Sequence, residues 1–103
     1  MTEDEFYLEL ARIEGRGFRV RLNYLPMIVL VGFGDCFCPI TAVCMSVKGR
    51  KFFQSRPMAC ARNLGLSLEV AGQIIKAADG VTGHDPVIRQ RLLEALNLTE
   101  PLA

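Results

Sequence analysis

The chain has 103 residues, half of them apolar and 22% charged, and its twelve basic and eleven acidic side chains leave a net charge of +1. That length holds one domain, and the apolar share supplies a core without disulfide or metal staples. A nearly balanced charge excludes a protein that grips nucleic acid through its overall field, leaving only local basic patches for that role. Thr2-Glu3-Asp4-Glu5 is acidic where a secretory leader is basic, so no signal peptide is expected. The four cysteines are therefore read as reduced and the protein as cytoplasmic.

The first element is a helix. Thr2 and Glu5 have the spacing of a capping box, and Phe6, Leu10 and Ile13 repeat on one helical face. Gly15 and Gly17 are expected to stop it. From Phe18 to Leu22 apolar and basic residues alternate, the period of a half-buried strand. Asn23 to Pro26 reads as a turn, and Met27 to Val31 as a second, more buried strand. The two make a hairpin near residues 18–33. A lone hairpin is marginal in water, so it is expected to pack on helices.

The stretch from Tyr24 to Val47 carries a single charge, Asp35, and is long enough to span a bilayer. Asp35 would then lie near the membrane centre at a cost of about 3 kcal/mol. Gly32, Gly34 and Pro39 also interrupt the run. Two shorter elements joined by a turn explain it better, and no membrane association is expected.

Helical signals then dominate. Pro39 suits a first helical position, and Ile40, Val43, Cys44 and Val47 form a buried stripe. Arg50 to Ser55 is a basic and aromatic connector. Pro57 opens a short helix closed by Gly65. Ser67 caps the next, with Ala71, Ile74, Ile75 and Ala78 facing inward and Gly80 at its end. Asp85-Pro86 starts the last helix, whose stripe is Ile88, Leu92, Ala95 and Leu96. The fold expected is a small, mainly helical α+β domain over residues 1–98. It has about five helices and one hairpin, with a tail at 99–103.

Three features bear on function. Cys36, Cys38 and Cys44 fall within nine residues, and Cys60 follows. Four thiols are enough for a structural zinc site, but their spacing lacks the two-residue gap of a zinc knuckle. Cys44 sits on an apolar stripe, so the default role of these thiols is as small core residues. Cys38 is placed at a helix N-terminus, whose partial positive charge favours a thiolate. Cys36 and Cys38 are thus the candidates for thiol-redox or metal chemistry. His84, the only histidine, lies in a loop, and a Cys38–His84 pair lacks a third member. No catalytic residue and no cofactor are assigned.

Ala61, Gly65, Val70 and Ile74 have a spacing that resembles a helix-turn-helix over residues 57–79. The resemblance implies DNA contact through Gln73 and Lys76 on the second helix, with Arg50, Lys51, Arg56 and Arg62 for phosphates. The outward face is poor in arginine for such a role. Finally, Phe52 and Phe53 stand beside Arg50 and Lys51. If either ring is exposed, a protein contact is implied. The function expected is a small non-enzymatic module that binds a protein partner or itself. A DNA-binding regulator and a thiol or metal protein are the alternatives.

Overall fold

A computed structural model describes residues 1–22 and 27–99. The expected turn at Asn23–Pro26 and tail residues 100–103 lie outside the described residues. The elements are α1 (Glu3–Ala11), β1 (Arg19–Leu22), β2 (Ile28–Gly32), β3 (Asp35–Phe37), α2 (Pro39–Lys48), α3 (Pro57–Leu64), α4 (Leu68–Asp79) and α5 (Pro86–Ala95). Single turns of 3-10 helix lie at Ile13–Arg16 and Arg50–Phe52. The class is α+β, as the sequence implies. The hairpin is extended by a third strand, giving an antiparallel sheet in the order β1-β2-β3.

The helix starts follow local chemistry. The Thr2 hydroxyl accepts the Glu5 N–H at 3.2 Å, and the Glu5 carboxylate accepts the Thr2 N–H at 3.0 Å. This reciprocal pair satisfies two amides that a helix start otherwise leaves open. The Asp85 carboxylate accepts the Val87 N–H at 2.8 Å in front of Pro86. Proline leads α2, α3 and α5, where its missing N–H costs nothing. α1 stops at Ala11, before the glycines. A 3-10 turn then carries Ile13 into the core and closes at Gly17.

In the sheet, Arg19 pairs with Val31 and Arg21 with Val29, while Val31 also pairs with Cys36. These residues share the face turned away from the core. The other face carries Val20, Leu30 and Phe37 in one row, and it packs on α2. Pro39 through Met45 are all buried, which marks α2 as a central helix with no solvent stripe along that stretch. Phe6, Leu10, Ile13, Ile28, Leu30, Ile74 and Leu92 close the core around it. Each such side chain contributes roughly 1.5–3 kcal/mol by leaving water. Among the described residues, no helix is long and apolar enough to cross a membrane.

Two arginines tie the helices together. Arg91 on α5 stacks on the Tyr7 ring at 4.1 Å and reaches Glu3 at 3.4 Å and Asp4 at 2.8 Å in the first turn of α1. Arg89 is only 4% exposed and donates to the carbonyls of Ala77 at 2.8 Å and Ala78 at 3.2 Å. It thereby places a positive charge at the negative end of α4. Replacing Arg89 with alanine leaves those carbonyls short of a donor. It is expected to cost about 2–4 kcal/mol of unfolding free energy, read from urea denaturation. A loss within the noise would show that water replaces the guanidinium freely.

Candidate functional site

The turn between β2 and β3 has only two residues, Phe33 and Gly34, because Gly32 pairs directly with Asp35. Both turn residues have positive φ, 55° and 84°. This is the type I′ pattern that suits the twist of a tight hairpin and normally takes Asn-Gly. Phenylalanine in that position works against its own sterics by about 1 kcal/mol. The result is an aromatic ring 45% exposed at the tip of the sheet.

That ring is held from two sides. The Arg50 guanidinium lies over it at 3.8 Å, and the buried Phe18 ring meets it edge-on at 5.5 Å. Phe18 in turn meets Phe37 at 6.0 Å, and Phe37 meets Phe53 at 6.5 Å, all edge-to-face. Such pairs favour the observed perpendicular geometry. The chain Phe33–Phe18–Phe37–Phe53 thus runs from one exposed ring through two buried ones to another, Phe53, 42% exposed. It depends on Gly32. A Cβ there would stand 2.9 Å from Cδ1 of Phe18, 3.1 Å from its Cε1 and 3.5 Å from the Gly17 carbonyl oxygen.

Two cavities meet at this face. One, of about 270 Å³, is lined by Phe33, Asp35, Met45, Arg50 and Phe53. The other, of about 440 Å³, lies between β3 and the segment from Phe53 to Pro57, with Thr41 in its wall. Asp35 and Phe53 belong to both. Of the partner-binding pair expected from sequence, Phe53 is therefore at the surface. Phe52 is half-buried against the core, with the Lys51 ammonium 5.4 Å from its ring. The 3-10 turn at Arg50–Phe52 separates the two neighbours. Phe33, Asp35 and Thr41 were not expected here. The sequence signal for Phe33 was a phenylalanine bracketed by glycines.

The cysteines divide. Cys36 is exposed on β3, Cys38 is the N-cap residue of α2, and Cys44 and Cys60 are fully buried side by side; all four are free. Cys60 donates to the Ser55 carbonyl at 3.9 Å. Cys36 and Cys38 share a cavity of about 180 Å³ with Asp79 and the Met27–Val29 strand entrance. Among the described residues, no three His, Cys, Asp or Glu side chains are grouped to hold a metal. The expectation of an activated Cys38 thiol is corrected. The amides of Ile40 and Thr41 do favour its thiolate, but burial outweighs them and pushes the thiol up to about 11. Burial, reinforced by Cys60, likewise pushes Cys44 up to about 12. His84 sits on its own loop, Nδ1 2.8 Å from the Val81 carbonyl, and lines neither cavity beside Cys38.

The helix-turn-helix residues form a tight helical hairpin. Ala61 and Ile74 are buried, Val70 is half-buried, and Gly65 turns the chain at φ 74°. The Leu66 N–H returns to the Ala61 carbonyl at 3.0 Å, which seals the end of α3. Arg62 is exposed on α3, Gln73 and Lys76 on α4, and Arg56 is the N-cap residue of α3. Arg50 and Lys51 are instead engaged with phenylalanine rings. Comparison with protein-family models, curated proteins and solved structures gave no match.

Gly32→Ala is expected to displace the Phe18 ring and cost about 1–3 kcal/mol, with altered aromatic circular dichroism. An unchanged spectrum and stability would contradict the role given to this glycine. The thiol shift has its own consequence. Cys38 ionises later in the folded chain than in the unfolded one, so its contribution is intact below about pH 9. It is lost as pH rises towards about 11. The urea midpoint should fall over that window, and Cys38→Ala should make the fall shallower. Cys44 keeps some of the slope, because its thiol shifts in the same direction.

Proposed function

We propose that this protein is a small non-enzymatic module that binds another protein through the aromatic face around Phe33 and Phe53. A reducing, cytoplasmic setting suits its four unpaired thiols. The observation that carries the reading is Phe33. Folding alone favours asparagine or glycine at its backbone conformation, yet the position holds a large ring presented to solvent. Strain of this kind persists where the surrounding structure holds it and a function uses it. Aromatic side chains beside arginine are the composition found at the centre of protein interfaces, and here Arg50 is stacked on the ring itself. Phe53 gives the face a second anchor, in edge-to-face contact with buried Phe37.

Phe33→Asn separates folding from binding. The substitution relieves the turn while losing the contacts with Phe18 and Arg50, so stability should stay within about 1 kcal/mol. Binders enriched from a phage-displayed library of random short peptides should lose about tenfold or more in affinity for Phe33→Asn and Phe53→Ser. They should bind Leu8→Ser normally, since Leu8 is 59% exposed but lines a separate groove between α1 and α5. Binders indifferent to both phenylalanines, or no enrichment at all, would sink the reading.

A further inference from the structure

The register of the turn determines where β3 aims its main chain. Gly32 and Asp35 flank the two-residue loop and face each other across it. They form the hydrogen-bonded pair of a tight hairpin. Pairs alternate along an antiparallel ladder, so Val31 and Cys36 form the next, non-hydrogen-bonded pair. The N–H and C=O of Cys36 therefore point away from β2. β3 is the last strand of the sheet, and neither group has a partner among the described residues. Unpaired groups on a strand edge are a template for another strand.

This edge borders the 440 Å³ cavity, a groove open to solvent. Asp35 to Cys38 form one wall, and Phe53, Gln54, Ser55 and Pro57 form the other. Thr41 lines the same cavity from α2, and its hydroxyl is open to water there. The charge of the slot is also specific. Among the described residues, Asp35 is the only acidic or basic side chain in its wall, and it forms no ion pair.

We propose that the slot receives an extended peptide segment of a partner protein. The segment adds to β3 as a further strand, seats an apolar side chain on Phe53 and sets a basic side chain against Asp35. This deepens the protein-binding reading and rests on it. The main chain of Cys36 supplies one donor and one acceptor, which gives affinity without regard to sequence. Phe53 and Asp35 supply the preference, the division of labour seen wherever a strand is added to a sheet edge. A segment of about three residues matches β3, which has three residues and so spans roughly 10 Å at about 3.3 Å per residue.

The test uses peptides enriched by the full chain from the random library, resynthesised with single backbone N-methyl groups. One methyl, at the amide that pairs with the Cys36 carbonyl, should lower affinity about tenfold or more, with its immediate neighbours tolerated. Asp35→Asn should lower affinity several-fold for peptides carrying lysine and leave their norleucine counterparts unchanged. If every N-methyl position is tolerated while Phe53→Ser still abolishes binding, strand addition is overturned and the protein-binding reading stands. No enrichment overturns both. Indifference to Asp35→Asn overturns the basic preference. A stable dimer of the chain alone, with the Cys36 amide protected from exchange, would make the occupant a second copy and overturn the partner peptide.

Discussion

Everything distinctive about this molecule depends on the two-residue turn that joins β2 to β3. Positive φ at both Phe33 and Gly34 brings Gly32 opposite Asp35. That single constraint fixes the register of β3, and with it which groups of Cys36 face outward. It also lifts Phe33 clear of the sheet. The bare backbone of Gly32 completes the arrangement by letting Phe18 pack against it. Phe18 then couples the turn to Phe37 and Phe53. The surface aromatics are thus braced through the core rather than resting on it. A braced ring loses little conformational freedom on binding, which favours affinity.

The helices make this possible by doing the ordinary work of stability. α2 is buried along most of its length; α1, α3 and α4 pack around it, and α5 closes on α1 and α4. Arg89 and Arg91 add polar links between the last helix and its neighbours. The sheet supplies a smaller share of the core. It has room for a local conflict at Phe33 because the helical core carries the margin needed to hold it. A strained turn costing about 1 kcal/mol is affordable in a fold whose net stability is several times larger.

Much of this scaffold was legible in the sequence, and for local reasons. The Thr2/Glu5 capping box, the proline-led helices and the alternation of Phe18 to Leu22 are short-range signals, and each corresponds to an element in the structure. Longer-range features were hidden. β3 spans only Asp35 to Phe37, too short to show a period. Its turn carries phenylalanine where the usual asparagine would announce a hairpin. The helix dipole at Cys38 can be read from Pro39 alone, but the burial that outweighs it comes from tertiary packing. Phe52 and Phe53 are equivalent in sequence, and the 3-10 turn decides which one the core keeps.

The most direct measurement of the central claim is amide hydrogen exchange at Cys36, taken by NMR on the free chain and on the chain saturated with an enriched peptide. An open edge predicts fast exchange at Cys36 in the free chain, while Leu30 and Phe37 in the paired ladder are protected. On binding, Cys36 should slow by about a hundredfold or more as its amide gains an acceptor. A Cys36 amide already protected in the free chain, or one left unchanged at saturation, would contradict the account.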